Sequence, residues 1–360
     1  MFATRATARR ATRATLSMHV CLRCGFVFNE EFDAAKLAYG ADYDNTQECS
    51  AAFARHLEQL ARRVVEHHGL RNAHIVEVGC GKGSFLRRLT TYPETDNRGI
   101  GYDPSYTGPD SELGGRLRFY RENYGPASAH GGVDVVICRH VIEHVADPVA
   151  LLEAIGGSVR RSPSPLVFFE TPCVEWILEH RVVWDFFYEH CSLFAAGTLA
   201  AALRAAGFRV DTVHRVFGGQ YLWLEAGVAE RTPEPGWAAG DVPALTTAFA
   251  AAEVRQRQRW GEAAAALART GRVALWGAGA KGVTFANLVD PDGDIIDCIV
   301  DLNPAKQGKF LPGTGHPIVS QTDMAARGVR HAILMNPIYG EENAALLRSG
   351  GIEANLIELA

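Results

Sequence analysis

His74-Ile-Val-Glu77-Val-Gly79-Cys-Gly81-Lys-Gly83-Ser-Phe-Leu-Arg-Arg-Leu89 decides the fold. A short apolar, β-rich run passes through three alternate glycines into a helical pattern. A strand that enters a helix through glycines is the opening unit of a parallel sheet covered by helices, and those glycines let a ligand approach the backbone closely. Asp103 follows the next strand candidate, Arg98–Tyr102. It lies about 20 residues beyond the last glycine, where an acid can reach ribose hydroxyls.

Outward from this block, strands are expected at His74–Val78, Arg98–Tyr102, Val133–Cys138, Leu166–Glu170, Phe208–Val216 and Tyr221–Glu225, alternating with helical runs. The last two read as a hairpin around Gly218-Gly219. Residues 65–228 therefore form a doubly wound, Rossmann-like α/β domain. Before it, residues 19–64 read as a small lid with Cys21-Leu-Arg-Cys24, Tyr39, Tyr43 and a helical stripe through Phe53, Leu57, Leu60 and Val64. After it, the Pro/Gly-rich residues 229–241 break helix and strand alike and read as a linker. Residues 242–360 open on an Ala-rich helix, Val242–Arg269, and give strands near Arg272–Trp276, Cys298–Asp301 and His331–Met335, a second Rossmann-like α/β domain.

The chain has 360 residues, 47% of them hydrophobic, and no apolar run long enough to span a bilayer. Its 36 basic and 41 acidic residues give a formal charge of −5 with no basic block, which argues against nucleic acid as a partner. Eight cysteines scattered through helix and strand patterns suit reduced thiols in a cytosolic enzyme, expected as a monomer or homodimer. Residues 1–18, rich in Arg, Thr and Ala, are expected to be a disordered tail or the product of a start placed upstream, in preference to a transit peptide.

A second turn, Trp276-Gly277-Ala-Gly279-Ala-Lys281-Gly282, has the full G-x-G-x-x-G spacing, and Asp301 lies about 20 residues on, at a strand end. Spacing alone reads this as a dinucleotide site, with pyrophosphate at the helix start and Lys281 beside it. A nicotinamide-dependent oxidoreductase is therefore one reading of the chain.

Glu77 before Gly79-x-Gly81-x-Gly83 resembles the first motif of class I methyltransferases. Asp134-Val-Val-Ile-Cys-Arg139-His140-Val-Ile-Glu143-His144-Val-Ala-Asp147-Pro148 resembles that family's fourth strand and the turn after it. The resemblance implies S-adenosylmethionine as cofactor, held by Glu77, Gly79, Gly81, Gly83 and Asp103, with Arg139, His140 and His144 lining the sulfonium pocket. Packing at a helix start is the competing role for the two histidines.

With both turns together, residues 19–360 resemble the sugar C-methyltransferases of deoxysugar biosynthesis, which join a zinc-binding lid, a methyltransferase domain and a C-terminal nucleotide-fold domain. Its specific pieces are Gly277–Gly282, the run Asp301-Leu-Asn303-Pro-Ala-Lys306-Gln-Gly through Thr314, and Tyr188-Glu189-His190. The resemblance implies methylation at carbon beside the ketone of a nucleotide-linked keto sugar. Such chemistry needs a base near neutral pKa, for which His190 is the choice, with Glu189 orienting it and Tyr39, Tyr43 or Tyr188 donating to the enolate oxygen. A hydrogen-bonded corner among Trp184, Phe186, Phe187 and Phe194 is the competing role of Tyr188–His190. Gly277, Gly279, Lys281, Gly282, Asp301, Asn303 and Lys306 would hold the acceptor's nucleotide handle, with Gln220 on the acceptor wall.

Two departures mark a distinct subgroup. Phe187 stands where the family pattern has an aromatic hydroxyl, and the zinc lid keeps one cysteine pair, Cys21 and Cys24, with the first pair truncated or absent. Half of a tetrahedral zinc site remains, and His19 and Cys49 lack persuasive spacing to complete it. Methylation on oxygen or nitrogen of another small acceptor, and a non-catalytic sensor of the methyl donor, are the remaining alternatives.

Overall fold

A computed structural model describes residues 1–37, 49–128, 132–160 and 162–359. Its largest sheet has eight strands in the order Phe208–Val216, Tyr221–Val228, Leu166–Pro172, Val135–Arg139, His74–Val78, Arg98–Tyr102, Leu117–Tyr120 and Ser111–Glu112. The five from Leu166–Pro172 to Leu117–Tyr120 run parallel, and the flanking strands pair antiparallel.

Alternate residues of the central strands supply two separate cores. Val76, Val78, Val136, Cys138, Val167 and Phe169 pack against helices Pro148–Val159 and Ala196–Ala205. Ile75, Val135, Ile137 and Phe168 pack against helices Ala51–Arg62 and Ser84–Thr90. A strand's side chains alternate between faces, so a sheet covered on both must be apolar at every position. That is why these strands read as continuous apolar runs, and it bears out the doubly wound expectation.

The second sheet is wholly parallel, in the order Ile318–Val319, Ile296–Val300, Arg272–Trp276, Val329–Leu334 and Asn355–Glu358. It divides in the same way: Val273, Leu275 and Ile299 face one core, while Ala274, Trp276, Cys298 and Val300 face the other. The first of these cores includes Trp184 from the preceding domain, 5.0 Å from Phe285. A small third sheet joins Met18–Val20, Val27–Asn29 and Ser192–Leu193.

Residues 1–18 differ from the expected disorder. Arg5–Arg9 is helical, capped by Thr4, and lies on the C-terminal domain. Phe2 bridges Phe310, and Arg9 donates to the carbonyls of Thr314 and Asp292 at 3.1 and 2.7 Å. Those carbonyls give the arginine-rich segment hydrogen-bond partners that its composition alone does not reveal. The small strands Ser111–Glu112, Leu117–Tyr120, Ile318–Val319 and Asn355–Glu358 are too short to display a period in the sequence.

Gly282 explains why the second turn needs its third glycine. A Cβ there would meet the Gly277 carbonyl oxygen at 1.9 Å, a backbone atom that cannot rotate away. Gly282→Ala is expected to destabilise the C-terminal domain by about 3 kcal/mol through overpacking. Gly261→Ala is the matched control, in open space on helix Val242–Ala268. It should stabilise by about 0.5–1 kcal/mol. Thermal unfolding of the two variants checks the contrast, and equal midpoints would remove the close-approach argument.

Candidate active site

Both glycine turns occupy corresponding places in their sheets. His74–Val78 pairs with Arg98–Tyr102 on one side and Val135–Arg139 on the other, and the crevice opens at the strand ends where the connections diverge. Arg272–Trp276 sits likewise between Ile296–Val300 and Val329–Leu334. The backbone repeats too. Gly79 N–H donates to Tyr102 O at 2.8 Å, as Gly277 N–H does to Val300 O at 2.8 Å.

The acids after the second strands do the same work in each turn. Asp103 accepts from Gly81 N–H at 2.8 Å and from Ser105 N–H at 2.7 Å. Asp301 accepts from Ala278 N–H at 2.9 Å and from Asn303 N–H at 2.8 Å. Each carboxylate thus pins its glycine turn to the neighbouring loop, in addition to any contact with a ligand.

The two turns open onto one cavity of about 910 Å³. This is at the upper end of the volume of small-molecule sites. Glu77, Gly79, Gly81, Asp103, Arg139, His140 and His144 line it from the first domain, as do Gln220 and His190. Gly277, Gly279, Lys281, Gly282, Asp301, Asn303 and Lys306 line it from the second. Gly81 has a positive φ of 54° and nothing within 4 Å of a built Cβ, so it forms a bare cradle at the first turn. The first turn therefore fits a ligand pressed against its backbone.

Three expected site residues lie elsewhere. Gly83 is off the cavity wall, and a Cβ there would meet the Phe119 ring at 2.4 Å, so its glycine serves packing. Tyr188 Oη accepts from Asp33 N–H at 2.7 Å and donates to Glu31 O at 3.1 Å, which commits it to the N-terminal segment. Glu189 is also absent from the cavity wall; its carbonyl accepts from His144 Nδ1–H at 2.9 Å. Tyr39 and Tyr43 lie outside the described residues.

His190 is buried, with its ring 4.0 Å from Phe187 and 4.7 Å from His144. Its Nδ1 has no hydrogen-bond partner among the described residues. Burial, followed by His144, His140 and Lys281, holds its pKa well below the ordinary imidazole range and so below the near-neutral value expected of the base, which keeps the ring neutral but makes it a weaker proton acceptor. His140 is the opposite case. Burial works to lower its pKa, but Glu143 at 3.3 Å and Glu170 at 3.5 Å outweigh it and raise the value to about 9. Its backbone is left-handed, φ 52°, a cost tolerated at few non-glycine positions. Glu170 also accepts from Arg139 Nε–H at 2.7 Å and meets His56 Nε2 at 2.6 Å.

These opposed shifts set a pH dependence. His140 adds stability that is complete below about pH 6.5, its unfolded value, and is lost as pH rises through about 9. His190, depressed on folding, adds stability present above the ordinary imidazole pKa and lost as pH falls below it. Stability should therefore be greatest near pH 6.5. Urea midpoints measured from pH 5 to 9.5 check this, and a flat profile would dismiss the buried histidine pair as its source.

Glu143, His144 and His190 each present one donor atom within 4.8 Å of the others, and are the group of this kind among the described residues. Glu143 also accepts from Thr171 Oγ1–H at 3.0 Å, and His144 Nδ1–H is engaged by the Glu189 carbonyl. The cysteine pair does not fit a closed zinc site, since His19 is engaged by Glu30 at 3.0 Å and Ser17 at 3.1 Å, while Cys49 lines the cavity wall.

Sequence reasoning missed several wall residues: Glu122–Pro126 after the strand Leu117–Tyr120, Asp185, Asn336, Tyr339 and Asn343. None carries a motif. Asp185 pairs with Lys281 at 2.7 Å, and Gln220 exchanges two 3.0 Å hydrogen bonds with Asn336, tying the domains together across the cavity.

Comparison with known proteins agrees with this architecture. Residues 50–213 match the family described as methyltransferase domain, and residues 241–348 match the C-methyltransferase C-terminal domain. C-methyltransferase NovU of Streptomyces niveus is 26% identical over 349 residues, covering 91% of this chain and 81% of the relative. Among solved structures, 1,6-didemethyltoxoflavin-N1-methyltransferase of Burkholderia thailandensis matches 50% of this chain and 79% of its own at TM-score 0.39 and 19% identity. Magnesium protoporphyrin IX methyltransferase from Synechocystis matches 52% of this chain and 89% of its own at TM-score 0.39 and 14% identity.

The two matched domains, with the glycine cradle and its acid, define an S-adenosylmethionine-dependent methyltransferase. With both domains in this order, the chain is similar to C-methyltransferases such as NovU.

Proposed function

We propose that the chain methylates the carbon beside the ketone of a nucleotide-linked keto sugar, with His190 as the base. One observation carries this reading: both glycine turns and His190 line the same cavity, so donor, base and nucleotide handle fit one space. S-adenosylmethionine supplies an electrophilic methyl carbon. The chain's own residues have two tasks, alignment and proton removal.

Gly81 admits the donor against the backbone, and Asp103 lies beside it to meet ribose hydroxyls. At the opposite side, the start of helix Ala280–Val289 and Lys281 suit a diphosphate. Lys281 is shared, since its Nζ also contacts Asp185 and, at 3.3 Å, Gln220 Oε1. Neutral His190 would accept the proton from the acidic carbon, leaving that carbon's electron pair free to take the methyl group, whose bond to sulfur would break with its electrons as the neutral thioether leaves. His144 is held in one tautomer by the Glu189 carbonyl, because a nitrogen facing a carbonyl oxygen must carry the proton. All eight cysteines are free thiols, which supports a reducing compartment such as the cytosol.

The test supplies a dTDP-linked 4-keto sugar and the methyl donor, and locates the added methyl group by NMR. A carbon-bound methyl beside the ketone is expected. Methyl on oxygen or nitrogen would replace this reading with the alternative group transfer, and reduction of an added nicotinamide would replace it with hydride chemistry.

A further inference from the structure

Helix Ala51–Arg62 forms one wall of the cavity through Phe53 and Leu57. Ser50 is its N-cap and accepts from Phe53 N–H at 3.3 Å. A helix start leaves backbone N–H groups unpaired and carries partial positive charge, so it favours an acid in its first turn. This helix has none there.

The acid arrives from the other domain. Glu342 accepts from Ser50 Oγ at 2.7 Å, from Ala51 N–H at 2.9 Å and from Ala52 N–H at 3.1 Å. These donors outweigh burial and hold its carboxyl below the usual range. Its helix, Gly340–Ser349, also brings Asn343 to the cavity wall. Further along Ala51–Arg62, His56 meets Glu170, which in turn holds Arg139 and faces His140. Phe53 and His56 both contact Phe217, which stacks on Tyr221, another wall residue.

We infer that Glu342 is a positioning residue for methyl transfer: its carboxylate seats helix Ala51–Arg62, so that the C-terminal domain sets the wall of the donor site as well as offering a surface to the acceptor. The inference rests on the methyltransferase reading of the cavity. It also gives the second domain a role in donor binding that a nucleotide handle alone does not require. Contiguity of contacts is not itself coupling, so the test measures coupling.

The full chain carrying Glu342→Ala is compared with wild type at a temperature well below unfolding. Binding of S-adenosylhomocysteine is measured by calorimetry, and kcat and KM for the donor by steady-state kinetics. Removal of a charged cap is expected to weaken S-adenosylhomocysteine binding and lower kcat/KM for the donor by about tenfold. Glu342→Asp should recover part of the loss, and the exposed neighbour Glu341→Ala should leave both constants unchanged. Ser50→Ala in the Glu342→Ala background should add less than it does alone. A merely structural role would lower the unfolding temperature and leave the constants of the folded enzyme as they are; that result overturns the inference. If Glu342→Ala does not fold, Glu342→Gln keeps the shape and removes the charge, and wild-type binding by that variant overturns it equally. Failure of wild type to bind S-adenosylhomocysteine would instead indict the methyltransferase reading itself.

Discussion

His190→Gln is expected to lower kcat by about 10²- to 10⁴-fold, the usual contribution of a positioned general base, while leaving donor binding near wild type. Glutamine keeps a polar side chain of similar reach but offers no group that can take a proton at neutral pH. The geometry supports so large an effect. His190 lines the cavity, its Nδ1 lacks a hydrogen-bond partner among the described residues, and burial keeps the ring neutral. A base that stays neutral retains its lone pair as pH falls, so the acid limb of kcat/KM should lie below the ordinary imidazole pKa. The decisive measurement separates proton removal from methyl transfer. In D₂O with S-adenosylhomocysteine in the donor site, wild type should exchange the proton beside the ketone and His190→Gln should not. Retained exchange in the variant would hand the base role to another group, with His144, 4.7 Å away, first in line.

The glycine turns were legible because their signal is local: a strand, glycines at fixed offsets, a helix and an acid one strand later. Every residue assigned to the nucleotide side of the cavity does line it. The triplet Tyr188-Glu189-His190 divides in the structure for an equally physical reason. Adjacency in sequence suggests adjacency in the site, yet neighbouring side chains at a turn leave the backbone in different directions. Only His190 enters the cavity wall, while Tyr188 turns to the N-terminal segment. Pairs that form across long separations leave no mark on either local pattern. His56 reads as one polar position on an amphipathic helix until Glu170 is placed 2.6 Å from it. Glu342 likewise reads as an exposed acid in a helix first turn, and Asp185 as a polar break in an aromatic run.

Lys281→Met should give the largest loss of stability, about 3–5 kcal/mol, because it strands a buried charge. Asp185 is 7% exposed, and Lys281 at 2.7 Å is the cation that opposes the effect of burial on its carboxyl. Removing one partner of a buried pair leaves the other desolvated, whereas removing both charges is close to neutral. Asp185→Asn combined with Lys281→Met should therefore recover most of the lost unfolding free energy. Kinetics on that double variant then separate the two duties given to Lys281. If the lysine only ties the domains together, the double variant should turn over a nucleotide-linked acceptor with near-normal KM. If it also meets the diphosphate, stability returns while KM for the acceptor stays raised. The second outcome is expected, since Lys281 lies in the first turn of a helix opening onto the cavity, where anionic ligands are favoured. Denaturant unfolding and acceptor kinetics on the three variants decide it, and a double variant as unstable as Lys281→Met would show that the lysine stabilises by contacts other than its pairing with Asp185.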